Sequence, residues 1–348
     1  MAESIVNVFS PSKSSFIAPT QSTISTRFLT VLLSFAVLHM GVGFVSVAQA
    51  DERPAEAVTL LADMSKALRE KDYRGIFTYE FGGVLQTLRI THRVMGGEEY
   101  ENVEFLSGPS RRVERNGREV ECLSAADQVL RGLLPGLDGD TEAGYAGLQQ
   151  SYQFFLRDEE RLAGRTATVM QIVPRDEYRY GYVFSIDQQT ALPLGAMTMA
   201  PNRKMLERVQ FASLELTPDD SWVGTVGTAA EVKRSEVKPC GTGTETLSWT
   251  LGWVPSGFVA AGSSQQGDAG EMQLFTDGLA AFSVFLEPLG KSVAAQGKAQ
   301  RGATVAYMQQ HVFNGIAYTV TVVGEIPAVT AQRIAGSLHW RADADERP

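Results

Sequence analysis

The side chains able to do chemistry in this chain of 348 residues are few and poorly grouped. Beyond residue 50 the histidines are His92, His311 and His339. None stands in a His-Glu-x-x-His run, and no cysteine pair has metal spacing, so no metal site is predicted. Asp176-Glu177 is an adjacent carboxylate pair, but neighbours in a strand point to opposite faces and make a poor acid–base couple. Glu159-Glu160 reads as a solvated turn. There is no Gly-x-Ser-x-Gly elbow, and Gly241-Thr-Gly-Thr lacks the strand-then-helix context of a phosphate loop. No catalytic residue, no cofactor and no enzymatic activity are expected. Two cysteines, Cys122 and Cys240, are candidates for one disulfide or stand as separate thiols. Arg111 and Arg112, with Arg115 and Arg118, form a basic cluster that reads either as an exposed hairpin or as a contact for phosphate or acidic groups. The formal net charge of -9 offers no basic stripe for nucleic acid.

These residues must be positioned by strands. Pro54 to Glu70 has a helical stripe of Val58, Leu61, Met64 and Leu68, with bases late in the segment. Runs of alternating pattern follow at Tyr73 to Phe81, Val84 to Val94 and Glu98 to Leu106, turned by Gly82-Gly83 and Gly96-Gly97. In the second, Leu88, Ile90 and His92 share one face, which makes His92 a buried or lining residue. Arg112 to Arg115, Asn116-Gly117 and Arg118 to Leu123 read as a hairpin. Arg131 to Gly147 reads as a Gly-rich loop or lid. Strands resume at Tyr152 to Leu156, Thr166 to Val173, Arg179 to Asp187, Leu192 to Met199 and Lys204 to Leu216. A long antiparallel sheet must protect its edges and inner face, and closing or half-closing over a helix does both. The inner face gathers Phe77, Tyr79, Leu88, Ile90, Phe105, Phe154, Phe155, Tyr180 and Tyr182. They form either an aromatic core or an apolar pocket for an acyl chain.

Thr217 to Thr244 loses periodicity and reads as a linker. Beyond it, Asp277-Gly278 joins two alternating runs between Met272 and Leu286, with Phe282, Val284 and Leu286 on one face. Asn314-Gly315 joins Ala303–Gln309 to Ile316–Val323. Pro327 then opens a helix with an apolar stripe of Ala331, Ile334, Ala335 and Leu338. The spacing predicts a four-strand meander with one covering helix, and loops at Gly262–Gly270 and Pro288–Gly302. Trp253, Phe258, Phe275 and Phe285 read either as core residues or as partner contacts, since aromatic residues are enriched at interface hot spots. On the contact reading Phe275→Asp weakens binding without unfolding the protein.

Residues 1–50 read as a cleavable signal peptide, with an uncleaved N-terminal anchor as the competing reading. Lys13 and Arg27 precede an apolar run from Phe28 to Val47, and Ala48-Gln49-Ala50 fits a small-residue cleavage site. The domain plan is thus signal peptide 1–50, first domain 51–216, linker 217–244, second domain 245–340 and tail 341–348.

Two sets of motifs carry a family resemblance. In the second domain they are Leu274-Phe-Thr-Asp-Gly-Leu, Ser283-Val-Phe, Arg301-Gly-Ala-Thr, Val322-Val-Gly-Glu-Ile-Pro and Arg333-Ile-Ala. In the first they include Tyr73-Arg-Gly-Ile-Phe, Leu88-Arg-Ile-Thr-His-Arg, Ser107-Gly-Pro-Ser-Arg-Arg-Val-Glu-Arg-Asn-Gly and Pro174-Arg-Asp-Glu-Tyr-Arg-Tyr-Gly-Tyr. In order and spacing the chain resembles the MucB/RseB family, periplasmic negative regulators of the envelope-stress sigma factor of the sigma-E or AlgU type. The resemblance implies a mainly β (α+β) fold. Its first part would be an unclosed antiparallel β-barrel with a helix, like those of the lipoprotein carriers LolA and LolB, followed by a smaller C-terminal antiparallel sheet with a covering helix. It also implies a periplasmic protein whose partner is the periplasmic domain of an inner-membrane anti-sigma factor of the MucA/RseA type. That partner would be shielded from site-1 proteolysis and released by lipid or lipopolysaccharide. Nucleic acid is excluded as a partner, and there is room for a homo-oligomer. The alternative is a periplasmic lipid or lipoprotein carrier or chaperone, for which the second domain would be superfluous.

Overall fold

The structure, a computed structural model, describes residues 54–116, 147–216, 247–265, 270–289 and 296–341. The predicted signal peptide, Cys122 and Cys240, the predicted return strand of the Asn116-Gly117 hairpin, nearly all of the predicted Gly-rich loop, the predicted linker and the tail after Arg341 lie outside the described residues.

The first lobe begins with α1, Pro54–Glu70. Apart from the pair Val58-Thr59 it has no adjacent β-branched residues and is rich in Ala, Leu, Glu and Lys, and Glu56 early and Arg69 late complement the helix dipole. Nine antiparallel strands follow: β1 (Tyr73–Phe81), β2 (Val84–Met95), β3 (Glu98–Phe105), β4 (Arg112–Asn116), β5 (Tyr152–Leu162), β6 (Arg165–Pro174), β7 (Gly181–Asp187), β8 (Pro193–Met199) and β9 (Met205–Leu216). A four-residue helix, α2 (Leu148–Ser151), leads into β5. The sheet runs β4-β3-β2-β1-β9-β8-β7-β6-β5. Its ends, β4 and β5, are not paired with each other among the described residues, so the sheet is unclosed.

Strict alternation makes one face of this sheet the core. In β1 every second residue from Tyr73 to Phe81 is buried. Gly75 is required at one of these inward positions. A Cβ there would lie 2.5 Å from the Phe211 ring and 2.7 Å from the Ser213 carbonyl. The β1–β9 register shifts just beyond, between Ile76 and Phe77, and such a bulge bends the sheet. Helix α1 crosses the concave face. Ala57, Val58, Leu61 and Met64 pack with Phe154, Met170, Ile172 and Phe184, while Ala67 and Leu68 pack with Tyr73, Phe77, Ile90 and Phe211. One helix thus ties the β5–β7 end of the open sheet to its middle strands, β1, β2 and β9.

The second lobe contains a six-stranded antiparallel sheet: β11 (Val259–Gln265), β12 (Glu271–Thr276), β13 (Ala281–Pro288), β14 (Gly297–Arg301), β15 (Thr304–Phe313) and β16 (Ile316–Gly324). A two-stranded ribbon pairs β10 (Trp249–Leu251) with β17 (Leu338–Trp340). Helix α2's larger counterpart, α3 (Ala328–Gly336), follows Pro327 and buries Ala331, Ile334 and Ala335. The order β11-β12-β13-β16-β15-β14 corrects the four-strand meander. The two predicted hairpins are present, but they meet through β13 and β16, and an edge strand is added at each side. Both added strands fall wholly or partly in predicted loops. Leu338 lies in β17 rather than on the helix, yet is 3% exposed and serves the same core.

Candidate functional site

The feature that sets this chain apart from two beads on a string is the seam between its lobes. The β6–β7 connection, residues 175–180, reaches across to the second lobe. Arg179 at its centre is fully buried. Its Nη1 donates to Asp277 Oδ2 at 2.7 Å, its Nη2 to the Ser256 carbonyl at 2.5 Å and its Nε to Asp176 Oδ1 at 3.1 Å. The guanidinium lies 5.3 Å from the Tyr152 ring centroid and 5.2 Å from that of Phe258. Tyr152 Oη donates to the same Asp277 Oδ2 at 2.8 Å. Burial alone would lower the Arg179 pKa, but Tyr152, Asp176 and Asp277 outweigh it and the net shift is upward. The guanidinium is therefore held as a cation. Asp277 also serves its own turn, its Oδ1 accepting the Leu279 and Ala280 N–H groups. The Asp277-Gly278 pair that marks a hairpin in the sequence is thus the anchor of the seam as well.

Further contacts flank this clamp. Tyr180 Oη donates to the Ile326 carbonyl at 3.0 Å, and Thr330 Oγ1 donates to the Tyr178 carbonyl at 2.9 Å. Arg333 donates to Tyr178 Oη at 2.6 Å and lies 4.0 Å over the Trp253 ring. Leu279 and Ala303 of the second lobe are buried in the core cluster of the first. The lobes thus share core as well as charge.

The structure sorts the residues singled out from the sequence. Phe77, Tyr79, Leu88 and Ile90 pack in the β1–β2–β9 cluster with Phe105 at its margin, and Phe154 and Tyr180 belong to the β5–β7 cluster. Phe155 does not join them. It follows Phe154 in a strand, so it points to the other face, where Arg157 lies 5.8 Å over its ring. An apolar cavity does exist between the end of α1 and strands β1, β2, β8 and β9, lined by Leu68, Tyr73, Phe77, Ile90, Leu192 and Phe211 among others. Its volume of about 20 Å³ holds a water-sized molecule and no acyl chain. Of the pocket candidates only Phe77 and Ile90 line it.

Among the partner candidates, Phe258 and Phe275 are corrected: they are 6% and 7% exposed and pack on Phe282 at ring distances of 5.1 and 5.0 Å. They are core. Phe285 is half-buried on the sheet face turned away from that core, since it stands opposite Met272 and Thr321. Trp253 is half-buried in the seam, 5.0 Å from Tyr178. Arg111 and Arg112 are exposed, Arg111 over Phe105 at 5.3 Å and Arg112 at 3.9 Å from Glu104. His92 is buried, its Nδ1 2.8 Å from the Lys71 carbonyl and its ring stacked on Tyr73.

Fold and seam together define a two-lobed β protein whose lobes are clamped by a buried charge network. The model of the MucB/RseB N-terminal domain matches residues 56–240 and that of the MucB/RseB C-terminal domain matches residues 243–339. The chain belongs to the MucB/RseB family. It is 33% identical over 304 residues to the Pseudomonas aeruginosa sigma factor AlgU regulatory protein MucB, covering 84% of this chain and 93% of that protein. It is 25% identical over 306 residues to the Escherichia coli sigma-E factor regulatory protein RseB, covering 85% and 94%. Among solved structures it is similar to that of the Pseudomonas aeruginosa MucA/MucB complex, with a TM-score of 0.65 and 30% identity over 82% of this chain and 99% of the other. It is also similar to a crystal structure of MucB, with a TM-score of 0.61.

Proposed function

We propose that this chain is a periplasmic regulator that binds the periplasmic part of an inner-membrane anti-sigma factor of the MucA/RseA type. By covering that segment it shields it from site-1 proteolysis and keeps a sigma-E or AlgU type sigma factor silent. The observation that carries this reading is the match to MucB in complex with MucA, which extends over 82% of the chain and so through both lobes. The apolar leader supports the compartment, and no described helix is long and apolar enough to cross a membrane. On this reading Phe285, Trp253, Arg111 and Arg112 supply partner contacts.

Lipid or lipopolysaccharide is the releasing signal in this proposal. Burying an acyl chain gives about 0.8 kcal/mol per methylene. Moving a two-state equilibrium from mostly bound to mostly released takes about 5.5 kcal/mol, so about seven methylenes suffice. Because the cavity beneath α1 is too small for them as it stands, lipid must lift that helix from β1 and β9.

The test is a cleavage assay. Saturating protein is expected to slow site-1 cleavage of the anti-sigma segment about tenfold or more, or about 1.4 kcal/mol of protection, and added lipopolysaccharide to restore it. Unchanged cleavage at saturation would end the proposal. The carrier reading draws on the same apolar cavity but leaves the second lobe and its clamp without a purpose. Stoichiometric lipid in a solvent extract of the purified protein would favour it.

A further inference from the structure

One end of the first lobe's sheet carries apolar side chains that the core does not take up. From Leu88 onward β2 buries every second residue, Leu88, Ile90 and His92. That alternation fails at the start of the strand, where Val84 is 47% exposed and Leu85 62%. Neighbours in a strand point to opposite faces, so the β1–β2 hairpin ends in apolar side chains on both sides. Leu106, also exposed, joins them. Its N–H donates to the Thr87 carbonyl, which sets it opposite Thr87 and on the face of Leu85. Gly82 and Gly83, at φ +54° and +82°, make the turn, and a Cβ on either would meet no atom within 4 Å beyond its chain neighbours. The tip stands clear of the rest of the lobe.

Three turns share this end of the sheet. The register pairs Phe81 with both Val84 and Glu207, Leu88 with Phe105 and Met199 with Met205. The tip therefore lies between the β3–β4 turn, residues 106–111, and the β8–β9 turn, residues 200–204. At about 4.8 Å per strand the row is about 20 Å wide. None of the three turns contains an acid, although the chain has a net charge of -9. They contain Arg111, Arg203 and Lys204, all exposed. The nearest acids are already engaged. Glu80 takes Arg208 at 2.7 Å, Glu104 takes Arg89 at 2.7 Å, and the buried Glu207 accepts the Ala303 N–H at 2.8 Å. Arg301 of the second lobe adds another exposed base, 4.4 Å over the Phe81 ring. The opposite end of the sheet differs: Glu98 is exposed at the β2–β3 turn, and so are Asp158, Glu159 and Glu160, with Arg161 beside them, ahead of the β5–β6 turn.

We propose that this end of the first lobe docks on an anionic lipid bilayer, with Val84, Leu85 and Leu106 entering the headgroup boundary and the bases beside them meeting lipid phosphates. Two observations favour a bilayer over a protein groove. Apolar side chains on both faces of a narrow tip need apolar surroundings on both sides, which lipid supplies and a one-sided groove does not. A row of exposed bases without free acids complements an anionic surface. Such binding grows with the apolar area buried and with the attraction to anionic lipid. The acids at the far end are repelled by the same surface, so the lobe stands tip-down. Leu85 does not line the cavity beneath α1, so docking is distinct from lipid uptake there. Arg111 and Arg112 are partner contacts in the function proposed above. The bilayer face then adjoins the partner face, as suits a partner anchored in the membrane. Docking itself is a property of this chain and does not depend on that function.

The experiment is co-sedimentation of the exported protein, purified from a periplasmic extract, with vesicles of phosphatidylcholine alone or with about one third phosphatidylglycerol. Wild type is expected to bind the anionic vesicles about tenfold or more tighter than the neutral ones, and salt at about 0.5 M to remove most of that preference. Leu85→Asp should weaken binding to the anionic vesicles about tenfold or more. Lys204→Glu should weaken it about fivefold or more. Val312→Asp changes a residue 69% exposed beside the β15–β16 turn of the second lobe and should bind like wild type. Urea midpoints show whether each variant folds, and Lys204→Glu carries the test if Leu85→Asp does not. Wild type that ignores anionic vesicles, variants at Leu85 and Lys204 that bind like wild type, or an equal loss in Val312→Asp overturns the proposal. A Leu85→Asp protein that loses only its grip on the soluble anti-sigma segment, or only self-association in sedimentation equilibrium, also overturns it by giving the tip to a protein partner. The cleavage assay contains no vesicles. Protein that docks as expected but never protects the segment refutes the function and leaves the docking surface standing.

Discussion

Arg179→Ala is expected to destabilise the protein by about 3–5 kcal/mol, because it strips the partner from a buried carboxylate rather than removing a surface contact. Arg179 and Asp277 have side-chain exposures of 0% and 1%. Without the guanidinium, the Asp277 carboxylate stays buried with only Tyr152 and its own turn as donors, and the Ser256 carbonyl keeps only the long 3.4 Å bond from Ser151 Oγ. Lysine restores the charge but not the fork, which reaches Asp277, Ser256 and Asp176 in three directions, so Arg179→Lys should recover only part of the loss. The internal comparison is Arg208–Glu80, an ion pair of the same 2.7 Å length with exposures of 45% and 29%. Arg208→Ala should cost about 1 kcal/mol or less, since water screens an exposed pair. Urea denaturation of the two alanine variants checks the contrast. Equal losses would mean that the seam contributes no more to holding the lobes than an ordinary surface pair does.

The first lobe was legible because its sheet has one buried face. Alternation in Tyr73–Phe81 and Val84–Met95 marks both strand type and inward residues, and burial follows that alternation. The missed strands lack such a signal. Gly297-Lys-Ala-Gln-Arg and Val259-Ala-Ala-Gly-Ser-Ser-Gln are short of β-branched and aromatic residues, and both are edges held by backbone ladders to β15 and β12. The junction of the two hairpins through β13 and β16 is a tertiary choice that no local spacing encodes. Arg179 was illegible for the same reason, since its acceptors Ser256 and Asp277 are 77 and 98 residues away. The choice between core and contact for Phe275 is different, because the signal to settle it was present. With Phe282, Val284 and Leu286 on the core face, counting back across the Asp277–Ala280 turn sets Phe275 opposite Phe282 and on that same face. Directly opposed residues of an antiparallel pair share a side. The same count sends Phe285 to the other side.

That count sets up the second large effect. Phe275→Asp is expected to unfold the second lobe, reversing the reading of Phe275 as an exposed contact. Truncating a buried phenylalanine costs about 3–5 kcal/mol, and a carboxylate among Phe258, Phe282 and Val284 must either be desolvated or take up a proton, which adds to the loss. Phe285→Asp, half-buried on the opposite face beside the buried Met272, should cost about 1–2 kcal/mol, well short of the loss at Phe275. If that face docks the anti-sigma segment, it should also weaken binding by about 30-fold, the roughly 2 kcal/mol of an interface hot spot. Near-UV circular dichroism and urea midpoints separate the variants before any binding is measured. A folded Phe275→Asp protein with a native aromatic signal would place Phe275 outside the core and overturn the face assignment. A folded Phe285→Asp protein that binds as tightly as wild type would keep the fold as described and move the docking surface off this face, leaving the seam around Trp253, Tyr178 and Arg333 as the next place to probe.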